Sequence, residues 1–204
     1  MRLLPGIIAM AAIVVASNIL VQFLILDGLL TWGAFTYPLA FLVTDVTNRL
    51  YGPGQARKVV LAGFVTGVAC SVIGSQVMLE YGPAVPLRVA VASGVAFLSA
   101  QLLDVAVFRR VAGAWWRAPL VSTLVSSILD TILFFSIAFS AAFALFGADA
   151  NAAVAWAQGP APFLTLGPEM PLWVSLAVAD WCVKIAVALI ALVPFRALTA
   201  RAGA

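Results

Sequence analysis

Apolar residues in this chain neither alternate, as in a half-buried strand, nor recur at the period of a surface helix. They run on in long blocks parted by short stretches rich in Gly, Pro, Arg and Lys. A helix needs about 20 residues to cross the hydrocarbon of a bilayer, so the blocks predict spans at about 3–26, 32–48, 59–78, 85–108, 119–146 and 172–198. Six such spans leave no length for a separate soluble domain, and residues 1–204 read as one transmembrane domain. Pro5 and Pro119 fall at predicted helix starts, where a missing N–H does no harm. Pro38 lies inside the second block and predicts a kink or interruption, and Gly52-Pro53-Gly54 ends that block. A secretory signal competes for the first block, because Ala16-Ser17 follows a short apolar stretch, but the run continues well past it. Gly63, Gly67 and Ser71 form a small-residue ridge suited to close helix contact.

Composition turns this pattern into a class. Hydrophobic residues make up 64% of the chain and charged residues 9%, where a soluble domain carries about a quarter charged. The expected class is an all-α integral membrane protein with six transmembrane helices. The net charge of +3 does not imply nucleic acid, since the basic residues sit between apolar blocks, where they act as topology signals. Arg2, Arg49, Arg57, Lys58, Arg109, Arg110, Arg117, Arg196 and Arg201 fall on one side of a six-span arrangement and Arg88 on the other, which predicts cytoplasmic termini. Trp115 and Trp116 beside the Arg pair read as interface anchors. Cys70 and Cys182 lie in apolar runs and read as packing residues. With no His, imidazole metal sites, Ser-His-Asp triads and His relays are excluded. No metal and no cofactor is implied.

The polar residues inside the blocks carry the chemistry. An Asp at the centre of a membrane helix costs about 2.5 to 3.5 kcal/mol on insertion scales, while a Leu returns only about 0.3 to 0.6. Asp45, Asp104, Asp130, Asp180 and Lys184, with Asn18, Gln22 and Gln101, are too many such groups for a purely structural bundle. Asn18 and Gln22 are expected to share a face of the first helix. Gln101 and Asp104 share a stripe with Phe97 and Phe108, and Asp130 one with Thr123, Ser127 and Phe134. Asp180 and Lys184, four apart, read as an ion pair, a ligand pair or both. Asp45 reads either as a surface partner of Arg49 or as part of a polar half-helix facing the interior, and Arg88 or Lys184 is expected to reach Asp104 and Asp130 from another helix. Carboxylates beside rings such as Phe97, Phe134 or Trp173 fit a planar heterocycle, stacked on a ring face while a carboxylate accepts two parallel N–H bonds from a guanine-like edge.

The chain resembles the queuosine precursor transporter family over nearly its whole length. The carrying residues are Ser17-Asn18 with Gln22, Thr31-Trp32-Gly33-Ala34-Phe35 with Pro38, Thr44-Asp45 with Thr47 and Arg49, Ala56-Arg57, Arg88, Gln101 with Leu103-Asp104-Val105, Trp115-Trp116 with Ala118-Pro119, Ser122-Thr123, Asp130-Thr131, Phe134-Phe135, and Asp180 with Cys182 and Lys184. The resemblance implies a multi-pass protein of the bacterial inner membrane that takes up 7-cyano-7-deazaguanine, 7-aminomethyl-7-deazaguanine or both, for salvage into tRNA queuosine. It also implies the six-helix fold of the substrate-binding subunits of energy-coupling-factor transporters. Asn18, Gln22, Asp45, Phe97, Gln101, Asp104, Asp130, Phe134, Asp180 and Lys184 are the expected substrate-binding residues. The expected partners are the deazaguanine base, the lipid bilayer and, as an open option, a second copy in a homodimer.

Two other readings stand beside this one. A vitamin- or nucleobase-binding membrane subunit would need a separate ATPase, since the chain has no GxxxxGK[ST] segment. A membrane enzyme would need a nucleophile or metal that the sequence does not show, and an assembly factor would leave the carboxylates unexplained.

Overall fold

The computed structural model describes residues 3–80, 82–143 and 146–200; Arg2 and Arg201, counted above as topology signals, lie outside them. Helix α1, Leu4–Leu20, starts with Pro5 in its first turn. The first block was expected to stay helical to residue 26, but α1 ends at Leu20, and just past the block Asp27 (φ 54°) and Gly28 (φ 87°) adopt left-handed backbone. They turn the chain between the short antiparallel strands β1, Leu24–Ile25, and β2, Leu30–Thr31. Asp and Gly are the residues that tolerate positive φ in such a turn, so the local turn chemistry overrides the hydrophobic run.

Pro38 splits the second block as expected. A single turn, α2 (Gly33–Thr36), precedes it and α3 (Leu39–Tyr51) follows, with Pro38 at the α3 N-cap. Gly52 (φ 81°) closes α3, and Pro53 opens α4, Pro53–Gln76, so the third helix begins ahead of residue 59. A hairpin, β3 (Met78–Leu79) with β4 (Gly82–Pro83), leads to α5, Leu87–Phe108. Helix α6, Arg117–Phe139, stops short of residue 146. The connection after it folds into α7 (Ala148–Ala152) and a hairpin of β5 (Pro160–Pro162) with β6 (Glu169–Pro171), and α8 closes the chain at Leu172–Ala200. Helices α4, α5, α6 and α8 are long and apolar enough to cross a membrane, and α1 is a shorter apolar helix.

Helix α5 packs most extensively on α6, α1 lies against α4, and α3 inserts among α4, α5 and α8. The largest apolar cluster joins Met10, Val59, Val60, Phe97 and Val105. At Gly63 a Cβ would sit 2.6 Å from Met10 Cγ and 2.9 Å from Phe97 Cζ, so the small-residue ridge of α4 is where α1 and α5 close in. Val65, Ile73, Ile190 and Val193 point outward, each at least 66% exposed, which suits a surface solvated by lipid.

The ends of the bundle differ. At one, Arg49 lies over Phe108 (5.1 Å) and Phe195 (5.6 Å), Arg196 over Trp115 (4.8 Å) and Arg117 over Trp116 (5.8 Å). The guanidinium groups lie over these ring faces while the side chains as a whole stay exposed. At the other end Arg88 is fully buried. Its Nε donates to Ile137 O (2.7 Å), one terminal nitrogen to Asn151 Oδ1 (3.1 Å) and the other to Ser140 O. Arg88 therefore caps the carbonyl end of α6, where a cation also favours the helix dipole, and it does not reach the carboxylates.

Candidate functional site

Two polar clusters lie between the helices. The first centres on Lys184 of α8, whose ammonium sits 2.6 Å from Asp130 Oδ2 and 2.5 Å from Asp180 Oδ2 and donates to Thr131 Oγ1 at 3.0 Å. Tyr37, in the break between α2 and α3, donates to the other oxygen of Asp130 at 2.9 Å. Its ring lies 5.7 Å from Lys184 Nζ and meets Phe97 edge-on. Helices α6 and α8 and the break between α2 and α3 thus converge on two carboxyl groups and one ammonium. Asp130 and Lys184 are almost completely buried, whereas the Asp180 side chain is 17% exposed. Asp130 is held by both Lys184 and Tyr37; Asp180 meets Lys184 by charge but without hydrogen-bond geometry. Its Oδ2 is buried against the ammonium, so Oδ1 is the oxygen left to accept a further donor.

The second cluster lies nearer the basic end. Asp45 of α3 accepts from Ser122 (3.3 Å) and Thr123 (3.2 Å) at the start of α6. The carboxyl of Asp104, on α5, lies against that of Asp45. Both Asp104 oxygens are buried and meet no hydrogen-bond donor. Around them Thr44 donates to Gln101 Oε1 (2.6 Å) and Asn48 to the Val105 carbonyl (3.1 Å). Thr123 and Asp130 are seven residues apart on α6, so the clusters lie about 10 Å apart along the helix axis.

These contacts decide several open questions. Asp45 is not a surface partner of Arg49, which stacks on aromatic rings and donates to the Trp115 carbonyl. The expected Asp180–Lys184 pair is present and extends to Asp130. Gln101, Asp104 and Asp45 come together, as do Phe97 and the Lys184 set. Phe134 is one turn from Asp130 and packs on Phe135 and Phe139, beside Trp173, in a separate apolar cluster. Asn18 turns back onto the Val14 carbonyl, and Gln22, beyond the end of α1, reaches the Ala84 carbonyl on the exposed rim. Those two amides neither share a helical face nor join either cluster. Tyr37, Thr131, Thr44 and Ser122 gave no periodic signal of their own in the sequence. The one hint for Tyr37 is its place next to the helix-interrupting Pro38.

Apolar helices around an interior of buried carboxylates, an ammonium and hydroxyls define a multi-pass membrane protein whose polar groups face one another and not the lipid. Residues 31–199 match the family model described as "Putative vitamin uptake transporter". The queuosine precursor transporter of Escherichia coli strain K12 is 31% identical over 196 residues, 89% of this chain and 79% of that protein. A protein of Haemophilus influenzae described as a probable queuosine precursor transporter is 33% identical over 180 residues, 80% of this chain and 66% of its own. A Bacillus subtilis protein of the same description is 35% identical over 96 residues, 40% of this chain. No solved structure matches the chain significantly. The chain belongs to the queuosine precursor transporter family.

Proposed function

We propose that this protein imports 7-deazaguanine bases for tRNA queuosine salvage and that the Lys184 set holds the base. The observation that carries the reading is the ion triad in the middle of α6 and α8, with one carboxylate, Asp180, left partly open. A guanine edge offers two parallel N–H donors; Asp180, oriented by the neighbouring ammonium, presents Oδ1 to one of them, and Oδ2 becomes the second acceptor only as it leaves Lys184. Tyr37 and Phe97 supply ring surface next to it. The cleft that reaches Asp45 and Thr123 has a volume of about 10 Å³, room for about one water. A base passing by that cleft requires helices to part. The interruption at Pro38 gives α3 a place to pivot, and Tyr37 at that pivot touches the triad.

In this reading α1, the broken α2–α3 pair, α4, α5, α6 and α8 are six spans of one domain, arranged like the substrate-binding subunits of energy-coupling-factor transporters. The basic end faces the cytoplasm of the inner membrane. Asp180→Asn keeps the size of the side chain but removes a charge-assisted acceptor, a loss of about 1.5 to 3 kcal/mol, or roughly ten- to a hundredfold in affinity. The test is uptake of labelled 7-deazaguanine base by cells expressing parent or variant at equal level. Parental uptake with unchanged uptake by Asp180→Asn would remove Asp180 from the site; no uptake by the parent would refute the substrate.

A further inference from the structure

The Asp45–Asp104 contact is not explained by holding a base at Lys184. Two carboxyl groups meet there with no Lys or Arg within ion-pairing distance of either among the described residues. The charged groups on every surrounding element are engaged or turned away. Arg49 of α3 and Arg196 of α8 lie over aromatic rings, and Arg117 at the start of α6 lies over Trp116. Arg57 and Lys58 of α4 are exposed. Asp130 of α6 and Asp180 and Lys184 of α8 close on one another, and α1 carries no charged residue.

Thr123 donates to Asp45, Ser122 divides its hydroxyl between Asp45 and the Pro119 carbonyl, and neither oxygen of the fully buried Asp104 meets a donor in hydrogen-bond geometry. Two ionised carboxylates in contact, out of water and with no cation, are strongly disfavoured. One proton relieves the charge repulsion and engages one of the two orphaned oxygens: as the O–H of one carboxyl it donates to the other and leaves a single charge shared by the pair, which the two hydroxyls of α6 help to stabilise. Asp45 and Thr123 also line the water-sized cleft between α3, α6 and α8, walled by Pro119, Leu192 and Phe195 toward the basic end. Through Asp45 the pair therefore borders a space with room for about one proton-carrying water and none for a base. Helix α3 carries Asp45, and the residue leading into it, Tyr37, bonds to the triad.

We propose that Asp45 and Asp104 form the proton-binding site that couples base uptake to a proton gradient, a proposal that rests on the transport reading above. Binding converts one carboxylate to its acid; when α3 moves, the O–H bond breaks, the proton leaves through the cleft, and the base is released on the same side. Charge balances with one proton carried per cycle.

The test uses the full-length protein in liposomes containing a trapped pH dye, with 7-cyano-7-deazaguanine as probe because it is neutral and brings no proton of its own. Exchange of labelled for unlabelled base, with no ion gradient, reports transport itself; acidification of the lumen on adding base reports the proton. The expected result is that the parent does both, an inward proton gradient accelerates uptake, and Asp45→Asn and Asp104→Asn lose the acidification and the gradient response. Exchange by the parent without acidification, or acceleration by Na⁺ in place of protons, overturns the proposal while leaving the substrate standing. No exchange at all overturns the substrate reading and this proposal with it. Should a variant be inactive, infrared spectra of the parent and of that purified variant decide. A carboxylic-acid carbonyl band at neutral pH that disappears in either Asn variant supports the shared proton, and its absence from the parent refutes it.

Discussion

Lys184 is the residue on which the interior's electrostatics turn. It stands between two carboxylates, so replacing it by Met leaves two negative charges facing each other without compensation. Breaking a buried ion pair from one side costs about 3 to 5 kcal/mol. Lys184→Met is therefore expected to lower the melting temperature in detergent sharply, and adding Asp130→Asn to recover part of the loss. A thermodynamic cycle over the two positions should show a coupling of about 0.5 to 3 kcal/mol, and strict additivity would mean that they do not interact. The sequence made these residues legible, because an Asp or Lys in an apolar run is costly enough to need an explanation, and four-residue spacing identified the Asp180–Lys184 pair. It could not show that Asp130 completes the set, since a contact between positions 130 and 184 depends on how α6 meets α8. Nor could it separate Asp45 and Asp104 from the triad, because cost alone carries no address. Asn18 and Gln22 misled for a plainer reason: their helical spacing matters only while the helix lasts, and α1 ends at Leu20.

At the scale of elements, apolar length located the helices and local chemistry set their ends. The breaks at Pro38 and Gly52-Pro53 follow from residues that cannot continue a helix or that accept positive φ. The turn dipeptide Asp27-Gly28 was equally legible, but the first strand of its hairpin, Leu24–Ile25, lay inside a run long enough to be taken as a span. The contact made by Gly63 gives this level its sharpest test. An Ala there would drive its Cβ into Met10 and Phe97, and overpacking of this kind typically costs about 1 to 3 kcal/mol. At Gly67 the nearest atom to an added Cβ is Val14 Cγ1 at 3.6 Å, an ordinary contact, so Gly67→Ala is the matched control. Thermal unfolding in detergent should separate the two substitutions; an equal, small effect would mean that α1 and α4 are not held as closely as the ridge requires.

For the whole molecule, the two kinds of Arg site orient the bundle. Arg49, Arg109, Arg110, Arg117 and Arg196 are grouped where α3, α5, α6 and α8 reach one end, with heads at the surface, whereas Arg88 at the opposite end is spent on the carbonyls of α6 and shows no charge to solvent. Counting residues in a sequence treats Arg88 as an exception to the positive-inside bias; its burial removes the exception, because a cation already satisfied by a helix end is not a surface charge. The bias is then one-sided among the described residues, and the basic end should face the cytoplasm. In a background with Cys70 and Cys182 replaced, Arg110→Cys and Gly159→Cys place one exposed thiol at each end. A membrane-impermeant maleimide added to intact cells should label Gly159→Cys at once and Arg110→Cys only after the membrane is permeabilised. The opposite pattern would invert the protein and place the cleft at Asp45 on the outer face, so that protons would enter by the route assigned to their release. Labelling of both from outside would mean that the six proposed spans do not form one uninterrupted barrier.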